Sequence, residues 1–177
     1  MLNRVLTWAA GLGFTVWIFY ALMASSEQAG SVIVRTDSDA DDRALAERTF
    51  SGKQGIYGVI RVAPELVATA PKAGKVFVRL VNAALASGTT VALKAFPAKA
   101  EGPMLFHIGP ADVKEPGALQ HELDVSAHWS QNGDPTMDVK GDLKGKCAQN
   151  PVRPGERLAI VVLGQQVDPS SRPTSPY

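Results

Sequence analysis

An uncharged apolar run near the start of the chain limits what the sequence can fold into. It extends from Val5 to Ala24 and reads VLTWAAGLGFTVWIFYALMA, without an acidic or basic residue. A helix rises about 1.5 Å per residue, so this run would cover about 30 Å, the thickness of a bilayer's hydrocarbon core. The run therefore predicts one transmembrane helix, with the anchor as a whole formed by residues 1–24.

The charges that flank this run predict its orientation. Arg4 precedes it, whereas the other side has no basic residue before Arg35. Basic residues favour the cytoplasmic side of a membrane. We therefore expect a protein of the bacterial inner membrane, with residues 1–4 in the cytoplasm and everything after Ala24 in the periplasm.

A cleaved signal peptide is the alternative interpretation of the same run. However, the run is longer than a typical signal-peptide core, and Leu22 or Met23 would stand where a small residue precedes the cleavage site. We therefore favour an uncleaved, single-pass anchor. Three of its aromatic residues suit a membrane interface or a protein partner, and a small-xxx-small pair would let another helix approach closely. These positions are Trp8, Trp17 and Tyr20, and Ala9 and Gly13.

Short apolar runs bounded by glycine and proline follow from residue 56 onwards. Such runs are typical of β-strands, and no strong helical pattern separates them. Their spacing predicts an all-β domain over residues 56–165, an antiparallel β-sandwich of the immunoglobulin-like, Greek-key type. The predicted strands are Ile56–Val62, Lys75–Val81, Thr89–Phe96, Met104–Ile108, Leu119–Trp129 and Leu158–Leu163.

The pattern within these strands predicts the hydrophobic core. Side chains alternate between the two faces of a strand, so every second apolar residue is expected to point inward. The continuous run Leu158–Leu163 predicts a strand that is covered on both faces. The expected core residues are Ile60, Val62, Val76, Val78, Leu80, Val91, Leu93, Phe106, Leu123, Val125, Ile160 and Val162.

Polar segments lie on both sides of this predicted domain. Residues 25–55 form an acidic periplasmic linker with the cluster TDSDADD and one short helical stretch, Asp41–Arg48. Alternate aspartates in the cluster resemble the start of a calcium-binding loop, but Asp42 stands where that loop needs glycine. We therefore expect a solvated spacer here. Residues 166–177 are rich in proline and serine and predict a tail that cannot pack by itself.

Composition and motifs argue against several function classes. The 18 basic and 17 acidic residues give a net charge of +1, so there is no electrostatic case for binding nucleic acid. The single cysteine, Cys147, cannot form an intrachain disulfide or a dithiol redox pair. The sequence also lacks a phosphate-binding loop, a Gly-x-Ser-x-Gly motif and a Cys-x-x-Cys-His haem motif. We therefore predict that the chain is not an enzyme and has no catalytic residues and no cofactor.

A copper site is considered because a periplasmic β-sandwich can carry one. A blue-copper centre uses two histidines, one cysteine and usually a weak methionine ligand. Here no histidine or methionine follows Cys147 closely, and His121 and His128 would lie on opposite faces of one strand. We therefore predict no metal site, but three surface imidazoles and one buried thiol. The residues that would have supplied ligands are His107, His121, His128, Cys147, Met104 and Met137.

A series of short motifs occurs in a fixed order between Gly58 and Gly155. A G-x-I-x-V-x-P-x-L pattern at the first predicted strand, Gly58 to Leu66, precedes a glycine-led V-F-V strand, and G-D-L-x-G follows later as Gly141–Gly145. In order and spacing this series resembles the C-terminal periplasmic domain of the c-type cytochrome biogenesis factor of the CcmI/CycH type. The positions that carry the resemblance are Gly58, Pro64, Gly74, Phe77, Gly133, Gly141, Asp142, Leu143 and Gly145.

Two functions are compatible with this resemblance and with a membrane anchor. The first is a non-enzymatic accessory subunit of a cytochrome-containing electron-transport complex, respiratory or photosynthetic, with other membrane subunits and a c-type cytochrome as expected partners. The second, which the resemblance implies, is a chaperone-like factor in c-type cytochrome maturation that binds an apocytochrome or another maturation component. A subunit stays with its complex at a fixed ratio, whereas a maturation factor binds its client transiently.

Overall fold

The computed structural model describes residues 37–84, 88–153, 156 and 158–168 of the 177-residue chain. The predicted membrane anchor, including Trp8, Ala9, Gly13, Trp17 and Tyr20, lies outside the described residues, and so does most of the predicted tail. Within the described part of the chain, no helix is both long enough and apolar enough to cross a membrane.

Most regular structure in the described residues is β-strand. One α-helix, α1 (Asp37–Phe50), precedes the strands, and short 3₁₀ helices occur at Pro64–Thr69, Pro110–Asp112 and Ala118–Gln120. The strands are β1 (Ile56–Val62), β2 (Lys75–Asn82), β3 (Thr90–Pro97), β4 (Met104–Ile108), β5 (Leu123–Ser130), β6 (Leu143–Lys146), β7 (Leu158–Leu163) and β8 (Gln165–Gln166).

These strands form two sheets, as the prediction of a β-sandwich requires. The three-stranded sheet has the order β4-β1-β7, and the five-stranded sheet has the order β3-β2-β5-β6-β8. Neighbouring strands are antiparallel, except that β1 and β7 run parallel. The prediction of a fully antiparallel sandwich is therefore wrong for this pair. Alternation along a strand shows which residues face inward but contains no information about the direction of its neighbour.

Two of the strands were not predicted, and one begins later than expected. β6 (LKGK) and β8 (QQ) contain almost no apolar residues, so they give no strand signal. The strand predicted from Leu119 begins at Leu123, because Ala118–Gln120 forms a 3₁₀ helix.

One apolar core lies between the sheets. Its largest fully buried side chain is that of Trp129, whose indole Nε1 donates a hydrogen bond to the carbonyl of Ala73 at 3.0 Å. Burying a valine, leucine or isoleucine contributes about 1.5–3 kcal/mol, so this core is the main source of stability. Most of the predicted core residues are buried here: Ile60, Val62, Val76, Val78, Leu80, Val91, Phe106, Leu123 and Val125.

The prediction was wrong for three core positions. Leu93 and Val162 are each 45% exposed, and Ile160 is half-buried. A continuous apolar run has no alternation from which to read its inward face, so the register of β7 could not be predicted. β7 is fully buried on one face only, through Ala159, Val161 and Leu163.

Helix α1 covers the outer face of the three-stranded sheet. The carboxylate of Asp42 is buried and forms an ion pair with Arg61 of β1, in which Arg61 Nη2 donates to Asp42 Oδ1 at 2.6 Å. This hydrogen bond is the main reason why the pKa of Arg61 is raised above its usual value. Ala46 is fully buried, and Phe50 stacks on His107 of β4 with ring centroids 5.5 Å apart.

This arrangement differs from the solvated spacer that we expected. The helix is longer than the predicted stretch Asp41–Arg48, and its alternate aspartates lie in a helix and not in a calcium-binding loop. The burial of Asp42 could not be predicted from the acidic composition of this segment, because the arginine that compensates its charge lies 19 residues away in sequence.

β6 approaches β7 closely and thereby joins the two sheets. Gly145 lies so near the carbonyl of Val162 that a Cβ atom at this position would overlap with it. Next along the chain, Cys147 and Val161 form an isolated antiparallel bridge. The N–H of Cys147 also donates to the carbonyl of Val125 in β5 at 2.9 Å, so this segment contacts strands of both sheets.

We predict that Gly145→Ala destabilises the domain. The added methyl group would push β6 away from the backbone of β7, at a cost of about 1–3 kcal/mol in the free energy of unfolding. Gly164→Ala is the matched control, because a Cβ at Gly164 would meet nothing within 4 Å. Thermal unfolding of each purified variant, monitored by circular dichroism, gives the two melting temperatures. Equal melting temperatures for the two variants would contradict the close approach.

A second prediction tests the register of β7. Val161→Thr buries a hydroxyl group and should lower the free energy of unfolding by about 1–3 kcal/mol, whereas Val162→Thr should change it by less than about 0.5 kcal/mol. The two substitutions are chemically identical and occur at adjacent positions. Chemical denaturation of both variants provides the comparison, and a larger loss for Val162→Thr would show that the register is reversed.

Candidate binding groove on the five-stranded sheet

The outer faces of the two sheets differ. Helix α1 covers that of the three-stranded sheet, whereas the outer face of the five-stranded sheet contains a groove of about 470 Å³. Side chains alternate between the two faces of strands β2, β5 and β6. On each strand, every second side chain enters the core, and most of the side chains between them face the groove. The groove therefore rests on the same strands that hold the core.

The floor of the groove is apolar. Phe77 is only 9% exposed, although its neighbours Val76 and Val78 are the residues of β2 that enter the core. Leu93 from β3 and Val162 from β7 also line the groove, each 45% exposed. Exposed apolar side chains that gather in one concave place are a sign of a binding surface, whereas scattered ones are ordinary.

The rim of the groove is basic. Arg79, Lys144 and Lys146 line it, and no acidic side chain of the described residues does. Arg79 Nε donates to the hydroxyl of Thr90 at 2.7 Å, and Lys144 Nζ lies 2.6 Å from a carboxylate oxygen of Asp138. Lys146 is exposed and has no ion pair within the described residues. The rim thus retains an excess of positive charge.

A buried carboxylate supports one side of the groove. Asp142 is fully buried and accepts hydrogen bonds from the backbone N–H groups of Gln131 at 3.0 Å and Val139 at 3.1 Å. Its Oδ2 atom also lies 3.1 Å from Nε2 of His128, which lines the groove. Because an ionised carboxylate only accepts hydrogen bonds, Nε2 of His128 is the donor. Asp142 thereby orders the connection between β5 and β6 and orients His128.

The family-motif positions lie in three parts of the fold. Phe77 and Gly145 line the groove, and Asp142 supports it from below. Gly133 and Gly141 occupy left-handed backbone conformations in the connection between β5 and β6. The remaining motif positions have structural roles away from the groove: Gly58 within β1, Pro64 at the start of a 3₁₀ helix, Gly74 in a left-handed conformation before β2, and the buried Leu143 in β6.

The residues considered as metal ligands do not come together. Among the described residues, no group of three or more histidine, cysteine, aspartate or glutamate side chains is placed to hold a metal ion. His107 bonds to the carbonyl of Gln54, and His121 lies before β5 and not within it, so the predicted opposition of His121 and His128 on one strand is wrong. Met104 is buried, whereas Met137 is exposed.

Cys147 is buried, as predicted, and its thiol is poorly suited to chemistry. Burial raises the pKa of Cys147 above its usual value, and this effect exceeds the opposing hydrogen bonds from backbone groups. A raised pKa reduces the fraction of thiolate, which is the nucleophilic and metal-binding form.

A second concavity, of about 630 Å³, lies near the start of β1. Its walls come mainly from loop residues between Pro110 and Gln120, together with Gln54 and Glu156. Its charged lining residues, Lys114 and Glu156, are of opposite sign, whereas the charged residues that line the groove are all basic. We therefore regard the groove on the five-stranded sheet as the better candidate site.

Comparison of the chain with models of known protein families, with curated proteins and with solved structures gives no match. The resemblance to the cytochrome biogenesis factor therefore stays a prediction, based on the motif positions alone.

Sequence reasoning did not identify the groove. It assigned Leu93 and Val162 to the core and gave no role to Arg79, Lys144 and Lys146. One signal was present: in β2, the face opposite the core residues carries a phenylalanine followed two residues later by an arginine.

We predict that Asp142→Asn destabilises the connection between β5 and β6. The amide cannot accept hydrogen bonds at both positions, so one buried N–H donor loses its acceptor, at a cost of about 1–3 kcal/mol. Asp138→Asn, which weakens a partly exposed ion pair with Lys144, should cost less than about 1 kcal/mol. Denaturant unfolding measures the two values. If the variants lose equal stability, the network around Asp142 has no special role.

Proposed function

We propose that this chain is a non-enzymatic binding module, anchored in the bacterial inner membrane, that serves as an accessory subunit of a cytochrome-containing electron-transport complex. In this proposal the N-terminal apolar run is the membrane anchor and the β-domain lies in the periplasm. The groove of the five-stranded sheet is the contact surface for another subunit.

The observation that carries the proposal is the difference between the two outer faces. The three-stranded sheet has its cover in α1, through Ala46 and Phe50, whereas the groove exposes Leu93 of the five-stranded sheet and Val162 of the adjoining strand β7. Exposed apolar surface next to a charged rim is the composition of a protein-binding site, in which the centre excludes water and the rim sets orientation.

The membrane part of the proposal is supported by the sequence. The apolar run Val5–Ala24 has the length of a membrane span. An anchored domain stays at the membrane surface, where its groove would meet membrane subunits at a high effective concentration. A groove of modest affinity would then be sufficient for stable attachment.

The alternative function, a factor in c-type cytochrome maturation, is favoured by a different observation. Two motif positions of the resemblance, Phe77 and Gly145, line the groove. A maturation factor would use the same groove for an unfolded client. The two functions therefore share a site and differ in the lifetime of the complex.

We predict that the full-length, affinity-tagged chain, after mild solubilisation of native membranes, retains a haem-containing partner at a fixed ratio. A groove variant, Leu93→Ser with Lys146→Glu, should lose this partner, because it removes apolar floor and reverses a rim charge at exposed positions. The ratio of co-purified subunits and the haem absorbance are the measurements.

The matched control is Met137→Ser with Lys72→Glu, which makes equal chemical changes at exposed residues outside the groove. The control should retain the partner. If the unaltered chain has no partner at fixed ratio but crosslinks to unfolded cytochrome during synthesis, the maturation role is correct. If the groove variant retains the partner fully, the groove is not the contact surface.

A further inference from the structure

The geometry points to the chemistry of the partner: we infer that the groove binds an acidic segment of another protein, in which an apolar side chain is flanked by aspartate or glutamate. This inference rests on the proposed binding function and deepens it. It follows from the charges on the rim, the depth of the floor and the composition of the other parts of the chain.

The charges on the rim favour an acidic partner. Three cationic side chains, Arg79, Lys144 and Lys146, border the groove, and within the described residues the ion pair found among them is that of Lys144 with Asp138. A partner with carboxylates would bring opposite charges together, which steers association and fixes orientation. A basic segment would meet like charges and be rejected.

The concave shape of the floor favours an inserted side chain. Phe77 lies at the bottom of a concave site and is only 9% exposed, so a flat surface cannot reach it. The partner must insert a side chain, and an apolar one would gain from contact with Phe77, Leu93 and Val162. The flat surface of an anionic bilayer would satisfy the rim charges but would leave this floor empty.

The chain's own acidic and terminal segments do not fit the groove. The acidic cluster of the chain belongs to α1, where Asp42 is held on the other sheet by Arg61. Residues 169–177 read PSSRPTSPY and contain an arginine but no acidic side chain. A second copy that met the first groove to groove would bring two sets of cations together. Residues 25–36 contain a single acidic residue, Glu27, and so lack the flanking pair of carboxylates that the basic rim would bind. We therefore assign the groove to a different protein.

The experiment uses the full-length chain in nanodiscs of neutral lipid. The probe is a fluorescently labelled peptide with a leucine flanked on each side by two glutamates, and fluorescence anisotropy measures its binding. Three matched peptides serve as controls. In the first the glutamates are replaced by glutamine, in the second the glutamates are replaced by lysine, and in the third the leucine is replaced by serine. We expect the acidic leucine peptide to bind most tightly, with an affinity that falls as the salt concentration rises from about 0.05 M to about 0.5 M.

Variants of the chain test whether binding occurs in the groove. Lys146→Glu and Leu93→Ser should each lower the affinity for the acidic leucine peptide by about three- to tenfold. This is the range expected for the loss of one rim charge or one partly exposed apolar contact. Their controls, Lys72→Glu and Met137→Ser, should bind it like the unaltered chain.

Equal binding of the acidic and glutamine peptides would overturn the inference, and so would equal effects of the groove variants and their controls. Binding of nanodiscs to anionic vesicles that depends on Lys146, without peptide binding, would identify a lipid surface instead. Self-association that Lys146→Glu abolishes, again without peptide binding, would identify α1 of a second copy as the occupant. The chain could also keep a partner at fixed ratio in native membranes and yet not bind the acidic peptide. That result would refute this inference alone and leave the proposed function intact.

Discussion

The close contact between β6 and β7 is the interaction on which the rest of the structure depends. Gly145 allows the backbone of β6 to reach the carbonyl of Val162, and the following bridge between Cys147 and Val161 continues the contact. A side chain at Gly145 would separate the strands. Because β6 belongs to one sheet and β7 to the other, this contact fixes the two sheets relative to each other. It also brings Val162 to the edge of the groove.

The apolar surfaces of the domain differ in what covers them. The sheets cover each other through the core, and α1 covers the outer side of β1. Within the described residues the floor is only partly covered: Phe77 is 9% exposed, whereas Leu93 and Val162 are each 45% exposed. Since soluble surfaces rarely keep large apolar patches together without a use, this asymmetry is the physical basis for a binding role.

Two buried carboxylates also help to specify the fold. Asp42 is paired with Arg61, and Asp142 accepts two backbone hydrogen bonds and contacts His128. A buried carboxylate is costly unless it is compensated, so each of these residues specifies its partners more strictly than an apolar residue would. Neither arrangement is visible in the sequence, because the partners are 19 and 14 residues apart and share no periodic pattern.

By itself the sequence determined the apolar anchor candidate, the β-rich class of the domain and the position of its long strands. β1, β4 and β7 have the predicted limits, because glycine, proline and alternating apolar residues act locally on the backbone. Tertiary structure decided the parallel pairing of β1 with β7, the burial of α1 and the exposure of Leu93 and Val162. These features depend on which surfaces meet, and a strand pattern cannot state whether an apolar residue faces the core or a partner. The groove, which is built from residues of six strands, exists only after the two sheets have been joined.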